Sequence, residues 1–225
     1  MFRLALYRMN FLCDHPKLKW GSASMKTIHG ILNWIFRLFY VNLLWLIGCA
    51  IGLVIFGFVP STIAMYKVIR SWKIGQRDIN IYHVFITEYR ASFKSTYLLG
   101  IPIFLIGFTL IFELQIFWQQ ESTLYYMLSF IVMMTIVVFI SILIHFFPIY
   151  VHYDFRLIRY IKMSFIMGII HPIRTIGMLI LLTIFYFLFL LTPLIFTVIG
   201  FSVVALVINH LVYEKFPYTD QSPSN

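Results

Sequence analysis

The chain has 225 residues, a formal net charge of +9, 61% apolar residues and only 11% charged ones. Soluble domains carry about 25% charged residues, and no water-soluble fold of this length hides so much apolar side chain, so that class is excluded and part of the surface must face lipid. The positive charge does not point to nucleic acid, because it comes in blocks: of 17 Lys and Arg, six lie in residues 1–37, six in 60–94 and four in 152–174, with Lys215 the last. Basic blocks between uncharged apolar stretches follow the positive-inside rule for cytoplasmic loops, whereas a nucleic-acid binder would present a basic soluble face.

Residues 1–25 read differently from the rest. A signal peptide needs an unbroken apolar stretch and a small-residue cleavage site, but Arg3, Arg8 and Asn10 interrupt this one and Asp14-His15-Pro16 follows. Leu12 before Cys13 does not make a lipoprotein site either. The segment is read as a disordered extension or as sequence upstream of a true start at Met25. Cys13 lies in this polar tail and Cys49 in an apolar stretch, so the pair predicts neither a disulfide framework nor a metal site.

The apolar region Ile28–Tyr66 is too long for one span of about 20 residues, and Gly48-Cys49-Ala50-Ile51-Gly52 interrupts it. Two solutions fit: a single span over about 38–59, or a tight hairpin of helices over about 28–47 and 52–73. Charge favours the hairpin, which returns the 60–94 block to the side of the basic N-terminal region. Thr96–Trp118 and Leu124–Ile149 are the next spans. Their connection, Gln119 to Thr123, has no Lys or Arg and is expected outside, with Trp118, Tyr125 and Tyr126 at an aromatic interface belt. Residues 172–213 break at Thr192-Pro193, because proline disfavours helix at the residue before it, giving helices over 174–191 and 194–213. The expected fold is all-α: a polytopic transmembrane helical bundle of five to six spans forming one domain, 26–215. Basic interfacial helices and the C-terminus lie on the cytoplasmic side, and a polar tail, 216–225, is expected to be disordered.

Lys67, Arg70 and Lys73 recur every third residue and share a helical face, as do Arg156, Arg159 and Lys162. Such faces suit an interfacial helix resting on anionic lipid of the inner leaflet; an anionic substrate or a regulatory partner is the functional alternative. The two segments, 67–73 and 156–162, also resemble each other, a faint internal repeat of the kind found in transporters and in other membrane proteins.

Ionisable residues at membrane depth are functional candidates by default. Glu113 falls about 25 Å into its span, near the outer interface with Gln115, Gln119 and Glu121, where hydration is cheap. Arg37 can snorkel to the inner surface. His145 and His152 lie two turns apart on one face with Asp154 just beyond, a set that could relay protons or orient an imidazole. Pro148 intervenes, however, and the two rings stand about 10 Å apart along the axis, too far for one zinc. His171 and His210 could join only through tertiary folding. No metal or cofactor is therefore expected. Metalloprotease, serine-hydrolase, phosphate-loop and Cys-x-x-Cys signatures are all absent, so no catalytic residue is assigned. An intramembrane enzyme would need Asp154 and a histidine to meet. A carrier would need polar groups near the midplane, and Asn42, Ser141 and Asn209 are among the few candidates.

Several segments resemble the YesL-like family of bacterial integral membrane proteins, a domain of unknown function. They are Trp34-Ile35-Phe36-Arg37-Leu38-Phe39-Tyr40-Val41-Asn42-Leu43-Leu44-Trp45, then Phe58-Val59-Pro60-Ser61-Thr62-Ile63-Ala64-Met65-Tyr66, and the approach from Arg90 to Gly100. The second half offers Phe147-Pro148-Ile149-Tyr150-Val151-His152-Tyr153-Asp154 and His171-Pro172-Ile173-Arg174-Thr175. The likeness spans 26–213 with both halves in order; it departs at Val59, where a Phe is expected before the proline, and in the residues before Met25. The resemblance implies an integral membrane protein of the bacterial cytoplasmic membrane with an accessory role beside carbohydrate uptake and utilisation, in contact with a membrane transport system. It supplies no agreed site residues.

Overall fold

A computed structural model describes residues 20–213 apart from Arg77, Asp154 and Arg156. Among the described residues every regular element is helical. The chain divides into two units, 1–37 and 38–225. In the first, the described part is the opening of helix α1 (Trp20–Ile51), which starts inside the segment expected to be an extension. The rest of that segment and the tail 216–225 lie outside the described residues.

In the second unit α1 ends at a tight turn and the chain reverses into α2 (Ile55–Lys73), so the hairpin reading is the one observed. Glycine makes the reversal sterically feasible. An added methyl at Gly57 would stand 2.6 Å from the Gly48 carbonyl oxygen and 2.8 Å from that of Cys49, closer than real side chains come, and Gly52 meets Gly57 directly. The turn itself is strained: Leu53 and Val54 have φ of 54° and 63°, a region a β-branched residue avoids.

A loop closed by Gly75, with φ 91° just past the end of α2, leads to α3 (Ile81–Trp118), as expected of a left-handed helix cap. Asn80 caps α3 by accepting from the His83 amide. Then come α4 (Thr123–His152), α5 (Leu157–Ile170) and α6 (Pro172–Leu191). The predicted break falls at Thr192-Pro193, followed by a short α7 (Pro193–Ile195), a π-helical stretch (Phe196–Gly200) and α8 (Phe201–Tyr213).

α3 and α4 form an antiparallel pair, with Phe117 against Tyr125 at one end and Ser95 3.2 Å from the Tyr150 hydroxyl toward the other. Their surfaces change character along their length. The exposed side of α3 carries Tyr82, His83, Thr87, Arg90, Ala91, Lys94 and Ser95, then turns to Ile101, Phe104, Leu105, Phe108, Ile111 and Phe112. α4 exposes Met127, Phe130, Ile131, Met134 and Val138, yet buries Ile144 to Ile149 and Val151. Each helix thus exposes an apolar surface over one half; at the opposite end α4 is packed into protein and the open side of α3 is polar. The apolar part of α3, Leu99–Trp118, has 20 residues and reaches about 30 Å, the thickness of a hydrocarbon core.

The packed end is organised by α2, twelve of whose nineteen residues are buried. It runs antiparallel to α3: Lys67 pairs with Glu88 at 3.6 Å, and Gly100 lets the Ile55 carbonyl approach. Val59, Ile63, Val68, Phe85, Ile149 and Met178 are almost fully enclosed, each side chain contributing about 1.5–3 kcal/mol relative to exposure in water. Among the described residues, four helices are long and apolar enough to cross a membrane, within Leu32–Ile51, Leu99–Trp118, Thr123–His152 and Pro172–Leu191, with a shorter apolar one over Phe196–Val212. α2, expected as a span, is not among them: its three basic residues and its buried faces make it core.

Candidate functional site

The deepest polar feature lies where α1 meets the π-helical stretch. Asn42 is fully buried; its amide nitrogen donates to the Thr197 carbonyl at 2.6 Å, and its amide oxygen accepts from the Ser202 backbone N–H at 3.3 Å. Thr197 and Ser202 are five residues apart, the spacing of a π turn, where backbone groups fall out of the usual helical register. Buried away from water such groups cost about 1–3 kcal/mol each if left unbonded, and Asn42 satisfies both at once. Next to it Trp45 donates to the Thr62 hydroxyl at 3.0 Å and stacks on Phe201, while Thr62 donates back to the Phe58 carbonyl. Asn209, on the same buried face of α8 as Ser202, has an amide nitrogen with no hydrogen-bond partner among the described residues.

The second polar feature gathers at the C-terminal ends of α2, α4 and α8. Arg70 donates to the Val151 carbonyl at 2.7 Å, Lys73 to that of His210 at 3.3 Å and Arg174 to that of Leu211 at 3.0 Å. The last carbonyls of a helix lack intrahelical donors and carry the negative end of its dipole, so cations are favoured there. With Lys67 paired to Glu88, all three basic positions of α2 have protein partners. On α5, Arg159 lies over the Phe155 ring at 4.4 Å and Lys162 is exposed. Asp154 and Arg156 lie outside the described residues.

The histidines bond within their own helix: His145 Nδ1 donates to the Ser141 carbonyl at 2.8 Å and His152 Nδ1 to that of Pro148 at 2.9 Å. Among the described residues no group of three potential metal ligands comes together. His171 caps α6 through its backbone, and His210 gives its carbonyl to Lys73. Glu113 is half-buried five residues before the end of α3, with Gln115, Gln119 and Glu121 exposed beyond it. Arg37 is half-buried on α1, in the first unit. Ser141 faces Gly168 where α4 meets α5.

Sequence reasoning missed two structural staples. The Tyr160 hydroxyl donates to the Tyr153 carbonyl at 2.6 Å and accepts from the Phe155 N–H at 2.8 Å, closing the α4–α5 turn. The Tyr89 hydroxyl donates to the Gly48 carbonyl at 3.0 Å. Neither has a local sequence signal, since each joins residues whose proximity only the fold creates.

Apolar exposed helix halves, a packed basic end and helix breaks bonded inside the bundle define a multi-pass α-helical membrane protein. Comparison with known proteins narrows this further. Residues 38–114 match the family described as "Protein of unknown function, DUF624". The chain is 32% identical over 189 residues to the uncharacterized protein YteU of Bacillus subtilis (strain 168), covering 84% of this chain and 85% of YteU. It is 26% identical over 210 residues to YesL of the same organism, covering 88% and 96% of the two chains. With YesV the identity is 31% over 144 residues, covering 64% and 69%. The chain belongs to the DUF624, YesL-like family. No solved structure matches it.

Proposed function

We propose that this chain is a non-enzymatic accessory or regulatory membrane protein serving a solute-uptake system. The observation that carries this reading is how its interior polar groups are used. Asn42, a position a carrier could use for substrate, is spent at both ends of its amide on the backbone of the π-helical stretch. Arg70, Lys73 and Arg174 are spent on helix ends. Groups held this way brace the bundle, as a protein that works by contact with a partner requires. Carbohydrate as the solute class comes from the YesL-like resemblance. A place in the bacterial cytoplasmic membrane, with the basic end and the C-terminus cytoplasmic, is supported by the basic residues near Lys73 and Arg174 and by the lack of Lys or Arg in Gln119–Thr123. Exposed Arg159 and Lys162 suit anionic lipid of the inner leaflet.

Purification of the tagged protein from its native membrane in mild detergent, with mass spectrometry of what accompanies it, tests the reading. A transporter or sensor at fixed stoichiometry is the expected result. A partnerless protein that moves a sugar across liposomes by itself would overturn it in favour of a small secondary carrier. That second reading has one observation on its side: broken helices inside a membrane bundle, as at Pro193–Gly200, are a common way of building substrate and ion sites.

A further inference from the structure

The wall of α3 next to the α1–α2 turn holds an open groove of about 640 Å³ lined by Ile51, Tyr89, Arg90, Ala91, Phe93 and Lys94. Its chemistry is two-sided. Arg90 and Lys94 are exposed one helical turn apart, and among the described residues neither has an acidic partner; the nearby Glu88 is committed to Lys67. Facing them are Phe93, in ring contact with Tyr89 at 5.6 Å, and Ile51 at the turn, 70% exposed. The Tyr89 hydroxyl is tied to Gly48, which fixes the groove wall to the end of α1.

The groove also sits at a defined depth. The exposed face of α3 becomes apolar at Ile101, about 10 Å along the axis from Lys94. The headgroup layer adds about 5–7 Å on each side of the hydrocarbon, so the long Lys94 side chain reaches back into it, while Arg90, one turn further out, stands at its outer edge. The turn, whose exposed residues Ile51, Leu53 and Val54 are all apolar, lies level with Gly100 through the Gly100–Ile55 contact. A molecule with an anionic head and an apolar tail would therefore meet Arg90 and Lys94 on α3 and apolar side chains at Ile51 and the turn.

We infer that this groove is a binding site for the phosphate headgroup of an anionic phospholipid, held by Arg90 and Lys94 with its glycerol and first methylenes on Phe93 and Ile51. The site requires only that α3 crosses the membrane and is independent of the accessory role. It differs from the lipid attraction of Arg159 and Lys162 in having a shaped apolar wall beside the charge. A free phosphate ion would use the cations but gain nothing from Ile51 or Phe93.

The test is native mass spectrometry of the detergent-purified protein titrated with an equimolar mixture of phosphatidylglycerol and phosphatidylcholine. The wild type should retain phosphatidylglycerol preferentially, and R90Q/K94Q should lose that preference by on the order of tenfold. The charge-keeping R90K/K94R should retain it, which separates headgroup binding from a folding defect, and R159Q/K162Q should leave it unchanged. Equal retention by R90Q/K94Q and wild type would overturn the site. Displacement of the lipid by inorganic phosphate at comparable concentration would overturn the lipid assignment in favour of a soluble anion.

Discussion

Asn42 has no exposed surface and both ends of its amide are bonded, so Asn42→Leu leaves the Thr197 carbonyl and the Ser202 N–H without their partner. The expected cost is about 1–3 kcal/mol, read as a lowered midpoint in a detergent unfolding titration. Asn42→Asp keeps the acceptor for Ser202 but sets an oxygen against the Thr197 carbonyl, and is expected to destabilise at least as much. An unchanged midpoint for both variants would mean that the π-helical stretch holds itself. Arg70→Met removes the guanidinium that donates to the Val151 carbonyl and should cost about 1 kcal/mol at that helix end. Asn42 was legible in the sequence as a polar residue in an apolar stretch, but its partners were not. They lie 155 and 160 residues away on a stretch whose π geometry no residue pattern announces.

At the scale of elements, the α1–α2 hairpin depends on Gly52 and Gly57, where one backbone lies against another, and on Gly48, which lies against the side chains of Ser61 and Tyr89. Gly57→Ala places a methyl against two carbonyl oxygens and is expected to destabilise by about 1–3 kcal/mol or to prevent accumulation in the membrane. Val54→Gly acts in the opposite direction. Val54 is 60% exposed and at positive φ, so glycine relieves about 1 kcal/mol of backbone strain while losing little packing. A raised unfolding midpoint for Val54→Gly is the expected outcome; a lowered one would show that Val54 makes a contact worth more than its strain. The glycines and the charge blocks made the hairpin readable in sequence. The role of α2 was not readable, because an apolar helix with three basic residues gives the same pattern whether it is wrapped in lipid or in protein. Only the packing of α3, α4 and α8 around it decides.

At the scale of the whole second unit, the sequence carried the all-helical class, the uncharged Gln119–Thr123 connection and the Pro193 break, because each is written in composition and local chemistry; the expected five to six spans compare with four helices long and apolar enough to cross among the described residues. It did not show that α3 is one helix with a polar half and a lipid half, since the start of an apolar stretch looks like the start of a helix. Cysteine labelling along α3 in intact cells, with a membrane-impermeant maleimide, tests this division most directly. Three single replacements suffice, Ala91→Cys, Phe108→Cys and Glu121→Cys, all at exposed positions. The predicted result is labelling of Glu121→Cys in intact cells, of Ala91→Cys only after permeabilisation, and of Phe108→Cys in neither condition. Labelling of Ala91→Cys from outside, or of Phe108→Cys in either condition, would contradict a membrane crossing above Lys94 with the basic end inside.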